Sequence, residues 1–332
     1  MMRLLTLLVL LAALAWSGFW LLGYGALTTA VPQWFEDRRA EGWVAEYDDL
    51  SVSGFPSRLD STFENLTLAD PQTGVAWDAP FFNLHALTYR PNHVISVWPN
   101  SQSIAIPGEK LSVTTGDMRA SLVLDPGTDL TLNRANVAIE SLGVTSTANW
   151  QLAASAVNLA MHRDAADTST YRLAFKADDL TPPAGYALPD GIDLPRSFSS
   201  FRADLTASFD RPWDRSAIEQ SRPQPTALDL TLAEVIWGDL QLHAAGKVSI
   251  DTSGYPTGEV TIRAVNWRDI LNVARQSGHL PANVLDTVEQ ALGFIAQLSG
   301  NANELDIPLT FSNGATKLGP LPIGPAPRIF LR

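Results

Sequence analysis

The fold of this chain is decided by residues Phe201–Phe209, which read FRADLTASF. The odd-numbered residues of this stretch are apolar and the even-numbered residues are polar. Because successive side chains of a β-strand point to opposite faces of the sheet, this alternation predicts a strand with one buried face. The same alternation recurs in five further segments, Tyr171–Phe175, Leu228–Leu232, Leu240–Ala244, Val260–Ala264 and Leu305–Phe311.

Turn signals separate these predicted strands along the chain. Asp125-Pro126-Gly127 follows one apolar run, and Asn313-Gly314, which is a strong signal for a short hairpin, follows another. Strands at this spacing are typical of an antiparallel meander with one apolar face. Two proline-containing stretches, 178–198 and 211–226, indicate connections between strands.

Near the carboxyl end the pattern changes from strand to helix. Residues 266–276 have a helical rhythm that Gly278 would end, and Pro281 opens a longer helix with a natural stop at Gly300. The longer helix carries one apolar stripe, formed by Val284, Leu285, Val288, Ala291, Leu292 and Ile295. We therefore expect a helical pair near 267–299 that packs on the apolar face of the sheet.

The amino end carries a long uncharged run that starts after Arg3 and lasts until Glu36, with an apolar core at Leu4–Leu22. About 20 helical residues match the roughly 30 Å hydrocarbon layer of a bilayer. Residues 1–30 are therefore predicted to be a membrane anchor, or alternatively a signal segment cleaved after Thr28-Thr29-Ala30. The charge distribution favours an amino end in the cytoplasm. In a Gram-negative bacterium this means a single-pass inner-membrane protein with its bulk in the periplasm.

The composition sets further limits on domains and partners. The 332 residues allow one large domain or two ordinary ones. We expect β-rich halves at 31–180 and 198–332, which also fit one continuous domain. The net charge is −12, with four Lys beside 19 Arg, so nucleic-acid binding is disfavoured. The absence of Cys excludes disulfides, Cys-based zinc sites and thiol catalysis.

Together these patterns predict a mainly β protein with a few helices, of the α+β class. A transmembrane helix comes first, a long antiparallel curved sheet or groove follows, and a carboxyl-terminal helical pair packs on that sheet. No catalytic motif supports an enzyme, and no cofactor or metal site is predicted. Among the five histidines, His85 and His93 lie eight residues apart around a loop, and no other pair has metal-ligand spacing.

Two dense clusters of residues are candidates for recognition. The first is a turn that contains Gly54, Phe55, Pro56 and Arg58. The second has Arg90, Asn92 and His93 at an expected loop tip, where these side chains can contact a partner or an anionic head group. The alternative interpretation is structural, with a tight turn that leads into a strand and two aromatic-rich strands around an Arg-Pro-Asn loop.

The same segments carry a resemblance to a known family. Gly54-Phe55-Pro56-x-Arg58, Ala79–Phe82 and Tyr89–Val94 resemble an uncharacterised alphaproteobacterial family, the domain of unknown function 2125, from about Trp34 to the carboxyl end. This resemblance implies no catalytic residues. More loosely, the anchor, the β-meander and the segment Leu305–Gly324 are similar to AsmA-like periplasmic proteins, which implies envelope maintenance and lipid movement between membranes.

Three functions remain open from the sequence. The first is a non-enzymatic, membrane-anchored envelope protein whose sheet handles lipid acyl chains. The second is an anchored assembly factor that binds envelope proteins along a sheet edge. The third is a periplasmic hydrolase whose catalytic groups come together only on folding.

Overall fold

The computed structural model describes residues 1–181, 194–277, 282–299, 303–319 and 321–331. Contacts divide the chain into two compact units. The first unit contains Met1–Leu124 and Val144–Ala148, and the second contains Asp125–Gly143 and Asn149–Arg332. The structure is mostly antiparallel sheet, which confirms the predicted α+β class. The division into halves at 31–180 and 198–332 stays a prediction.

The first unit begins with one long helix and continues into strands. These elements are α1 (Met2–Ala40), β1 (Val44–Glu46), β2 (Asp49–Ser53), β3 (Arg58–Asp70), β4 (Val75–Leu87), β5 (Arg90–Val97), β6 (Ser101–Ile106), β7 (Glu109–Thr114) and β8 (Asp117–Leu124). The long strands β3 and β4 form an antiparallel hairpin. Shorter strands pair with their two ends, β1 and β2 with β3, and β5 and β6 with β4. On the far side β5 pairs with β8, and β6 pairs with β7.

Helix α1 has two zones with different surroundings. In its first zone, residues 2–22, most apolar side chains lie open, and Leu22, for example, is 75% exposed, whereas Trp20 is 8% exposed. In its second zone Phe35 is only 4% exposed and packs against Ala45, Phe63 and Leu66 of the sheet. The helix therefore continues ten residues beyond the predicted anchor at 1–30, because Phe35 gains a buried position on β3.

The second unit is a meander with helices inserted in it. Its elements are β9 (Leu132–Ser146, whose residues from Val144 belong to the first unit), β10 (Gln151–Arg163), β11 (Thr170–Asp178), β12 (Ser200–Phe209), α2 (Ser216–Glu219), β13 (Pro225–Trp237), β14 (Leu240–Ile250), β15 (Pro256–Val265), α3 (Trp267–Ser277), α4 (Ala282–Ser299), β16 (Glu304–Ser312), β17 (Ala315–Leu318) and β18 (Leu321–Pro325). Each strand from β10 to β18 pairs antiparallel with the next. The predicted meander is confirmed, with β12 at the stretch that decided the prediction.

The helical pair lies where the sequence placed it. Leu285 and Leu292 of α4 are buried with Trp267 of α3 against Leu305 and Ile307 of β16. A fully buried Leu contributes about 1.5–3 kcal/mol relative to an exposed one, so this stripe holds the helices on the sheet. The expected helix boundaries at Gly278, Pro281 and Gly300 lie outside the described residues.

The structure describes one of the two predicted connections and only the ends of the other. The stretch 211–226 is a connection that contains the short helix α2 and ends as β13 begins. Most of the stretch 178–198 lies outside the described residues.

Candidate functional site

Strand pairing brings the two sequence motifs together at one end of the first unit. Arg58 at the start of β3 lies opposite Leu87 at the end of β4. The Thr88 N–H donates a hydrogen bond to the Ser57 carbonyl at 3.0 Å. The β2–β3 turn (54–57) and the β4–β5 hairpin tip (88–89) are therefore neighbours. We call this part of the first unit the motif end.

The β2–β3 turn requires glycine at its first position. Gly54 has φ +101°, and a Cβ atom there would lie 2.8 Å from the Arg58 Cβ and 2.9 Å from the Arg58 carbonyl oxygen. The Arg58 N–H closes the turn with a 2.8 Å hydrogen bond to the Gly54 carbonyl. The Phe55–Pro56 peptide bond is cis, and the Phe55 side chain is exposed. The predicted turn motif is thus a structural unit with one aromatic ring on its surface.

The prediction that Arg90, Asn92 and His93 lie at a loop tip is wrong. These residues lie in β5, and the tip is the two-residue turn Thr88-Tyr89. The Asn92 side-chain amide donates to the Leu124 carbonyl at 2.7 Å, and His93 Nε2 lies 2.9 Å from the hydroxyl oxygen of Ser121. Because both bonds join β5 to β8, the polar run predicted as a loop is held in the sheet. Pro91 fits there because it comes at the beginning of the strand.

A cleft of about 530 Å³ opens on the same part of the sheet. Alternate residues of β3, β4, β5 and β8 share one face, and that face forms most of the lining. The lining residues are Arg58, Asp60, His85, Ala86, Leu87, His93, Ile95, Val97 and Arg119. Guanidinium and imidazole groups thus lie beside an apolar floor, which suits a ligand with a polar head and an apolar body.

The charges in the cleft are largely paired. Asp60 binds the Arg58 guanidinium and lies 2.9 Å, through Oδ1, from His85 Nδ1. Burial of the Asp60 carboxyl favours its neutral form, but the hydrogen bonds from Arg58 and His85 outweigh burial and hold the pKa of Asp60 below its ordinary value. Arg119 Nε lies 2.9 Å from an oxygen of Asp117.

Two residue pairs in this part of the sheet are relevant to the alternative that the protein is a hydrolase. A serine relay needs one histidine that bonds both a serine and a carboxylate. Here His85 pairs with Asp60, whereas His93 pairs with Ser121. The geometry therefore provides two separate pairs and no relay among these four residues.

Helix α1 contacts the motif end through two indole groups. The Trp16 Nε1–H donates to the Pro56 carbonyl at 2.8 Å, and the Trp20 Nε1–H donates to the Arg58 carbonyl at 2.7 Å. The Phe55 ring packs edge-on against Trp20, with 5.4 Å between ring centroids. The motif end is therefore fixed to the apolar zone of α1.

The second unit carries a different feature, an apolar trough of about 310 Å³ on the face of β9 to β12. Its register places Met161, Leu173 and Leu205 in one row across β10, β11 and β12. Leu159, Phe175 and Ala203 form the adjacent row. Ala135, Val137, Ala160 and Ala174 complete the lining. Every lining residue is apolar, and Leu159 is 42% exposed.

Sequence reasoning missed several residues of the cleft and its helix contact. Asp60, His85 and Arg119 line the cleft together with the candidates Arg58 and His93, and of these three only His85 was singled out in the sequence, for its spacing from His93. The spacing Arg58-x-Asp60 was a usable signal, because residues two apart on a strand share a face. No local pattern signals that Trp16 and Trp20 bond to a turn about 40 residues away.

Fold and site together define a β-rich protein with an amino-terminal helix long and apolar enough to cross a membrane. The family model described as "Uncharacterized protein conserved in bacteria (DUF2125)" matches residues 20–327, and the chain belongs to this family. This confirms the resemblance to the domain of unknown function 2125. No curated protein and no solved structure matches the chain. The AsmA-like similarity stays a prediction.

Proposed function

We propose that this protein is a non-enzymatic, membrane-anchored protein of the bacterial cell envelope that shelters a lipid acyl chain in the trough of its second unit. The observation that carries the proposal is the all-apolar lining of that trough. The protein works without a cofactor, and its partners are the inner membrane and lipid, with no nucleic acid.

Anchoring by α1 is supported by the two zones of the helix. Most apolar side chains of the first zone are open in the folded chain, and such a surface is stable in a lipid environment. The second zone is packed on β3 through Phe35. Retention of the helix, rather than cleavage after Ala30, keeps the Trp16 and Trp20 hydrogen bonds. The positive amino end stays in the cytoplasm, so the two units lie in the periplasm.

Acyl-chain binding is supported by the dimensions and chemistry of the trough. A volume of about 310 Å³ lies at the lower end of ordinary ligand pockets. Burial of each methylene contributes about 0.8 kcal/mol and needs no directed polar contact. A protein that recognises its ligand this way requires no catalytic or polar motif, which agrees with the sequence.

The test places a photo-crosslinker in the trough of the full-length protein in living cells. p-Benzoylphenylalanine replaces Phe175, which lines the trough, or Lys176, which is the next residue and points to the opposite, polar face. We expect mass spectrometry to find an acyl-lipid adduct at position 175 and little or none at 176.

Three other results contradict the proposal. Equal lipid labelling at 175 and 176 reports only general proximity to membrane. A crosslink from 175 to the chain itself, with no lipid adduct, means that the protein fills its own trough. A single dominant protein adduct at 175 instead favours the alternative of an assembly factor.

A further inference from the structure

We propose that the motif end of the first unit is a second membrane-contact site, in which Phe55 enters the outer leaflet beside α1 and Tyr89 and Arg90 lie at the lipid head groups. The partner is a phospholipid surface. This inference rests on the anchoring of α1 in the proposed function and is independent of the trough.

The first argument is the depth of the β2–β3 turn in the bilayer. If the span begins at Leu4, a 30 Å hydrocarbon layer ends about 20 residues later, near Gly23. Trp20 then lies about 5 Å, and Trp16 about 10 Å, inside that boundary. Because their indole groups bond the carbonyls of Arg58 and Pro56, the β2–β3 turn lies at the same depth.

The second argument is that four of the five carbonyls from Gly54 to Arg58, all but that of Phe55, accept a hydrogen bond. Backbone polar groups that leave water need internal partners. Trp16 and Trp20 satisfy the carbonyls of Pro56 and Arg58, and backbone N–H groups satisfy those of Gly54 and Ser57. Proline at position 56 has no N–H to satisfy. A turn in a leaflet needs such partners, because the hydrocarbon offers no water to bond its backbone groups.

The third argument is the surface chemistry of the motif end. Phe55 and Tyr89 are each 57% exposed, although both are large aromatic residues. Tyr is enriched at membrane interfaces, and Arg extends its charged head to the phosphate layer from an apolar stem. Arg90 is exposed next to Tyr89. The exposed aromatic and cationic groups are thus of the types that a leaflet and its head groups accept.

The opposite end of the β3–β4 hairpin has a different character. Its turn is formed by polar residues around Gln72 and Thr73, which are exposed. Twelve residue steps along β3 separate the two ends, which corresponds to about 40 Å. The far turn is therefore expected to lie in water and can serve as the aqueous control in the experiment.

The experiment uses the absence of cysteine from the chain, so that one introduced Cys gives one label position. Full-length Phe55→Cys carries a nitroxide in vesicles of phosphatidylcholine and phosphatidylglycerol. Gln72→Cys is the aqueous control and Leu11→Cys in α1 is the lipid control. Power-saturation electron paramagnetic resonance then compares collisions with oxygen and with a water-soluble nickel chelate.

We expect the label at 55 to lose nickel collisions and gain oxygen collisions relative to 72, as the label at 11 does. A label at 55 that resembles 72, while 11 stays in lipid, overturns this inference and leaves the anchor intact. A label at 11 that resembles 72 overturns the anchor itself and, with it, the proposed function. Unfolded variants are recognised by loss of the circular dichroism of the unlabelled protein.

Discussion

Trp20 of helix α1 donates its indole hydrogen to the backbone carbonyl of Arg58 at 2.7 Å, although 38 residues separate them in the chain. The bond joins an apolar helix to the first residue of the longest hairpin in the first unit. It makes this part of the helix a part of the folded protein.

The first prediction concerns this bond. Trp20→Phe keeps an aromatic ring against Phe55 and removes the donor, which leaves the Arg58 carbonyl without a partner. We expect the free energy of unfolding to fall by about 1–3 kcal/mol, measured by thermal unfolding of the full-length protein in detergent micelles. Leu21→Ala, on an exposed position of the same helix, is the matched control. An equal loss in both variants contradicts a specific role for the bond.

The second prediction concerns the fate of the amino end. Cleavage after Ala30 would remove both Trp16 and Trp20 and expose the side chains they cover. We therefore expect the intact mass of protein extracted from membranes to include residues 1–30. A mature chain that begins at Val31 shows that the segment is a signal peptide and removes the basis for the membrane-contact site.

The third prediction concerns the β2–β3 turn. Gly54 and Gly42 both have positive φ, at +101° and +90°, but only at Gly54 would a Cβ collide with backbone. Both alanine variants carry the strain of the left-handed region, about 1–3 kcal/mol. Gly54→Ala is expected to lose more stability than Gly42→Ala in urea unfolding. Equal losses mean that the turn relaxes around the added methyl group.

The fourth prediction concerns pH. The pKa of Asp60 is lowered in the folded protein from its ordinary value of 3.8, so its stabilisation is fully present above that value. As the pH falls through the lower folded pKa, the carboxyl becomes protonated and the contribution is lost. We expect Asp60→Asn to be less stable than the natural protein at pH 7, and the difference to shrink towards pH 3.

The control for this titration is Asp229→Asn. Asp229 forms an exposed pair with Lys247, and exposed pairs contribute little. Urea unfolding at several pH values should therefore show little dependence for this variant. A difference for Asp60→Asn that does not change with pH means that the side chain acts by packing and not by charge.

The fifth prediction concerns the helical cover of the second unit. Leu285 is 2% exposed, whereas Phe294 of the same helix is 64% exposed. Leu285→Ala is expected to cost about 2–5 kcal/mol in denaturant unfolding, because it leaves a cavity against the sheet. Phe294→Ala is expected to have little effect, and comparable losses contradict the assignment of the buried stripe.

The parts of the fold that local pattern controls were predictable. Phe201–Phe209 forms β12, and Leu285 and Leu292 face the sheet, because two-residue and 3.6-residue periods follow directly from backbone geometry. The hairpin tip was placed too late, because a polar Arg-Pro-Asn run looks like a loop when the partner strand that binds it is unknown. The side chains of Asn92 and His93 instead form hydrogen bonds to Leu124 and Ser121 of β8.

The candidate site could be predicted only in part for the same reason. Arg58 was a candidate because of its turn, but Asp60, His85 and Arg119 join it only through the register of β3, β4, β5 and β8. Register between distant segments depends on the packing of a whole face and not on any one of them. The trough likewise arises from rows of side chains across strands, although each strand by itself predicts only a buried face.

Helix α1 runs without a break from its first zone to Ala40. This continuity has one mechanical consequence. Proteins tethered through a flexible linker can rotate freely over the bilayer, but here the segment proposed as the anchor and the β3 contact belong to one continuous helix. In the proposed anchored state, a tilt of this segment reaches the first sheet through the helix, past Pro32. The orientation of the first sheet and the tilt of the proposed anchor are thus linked.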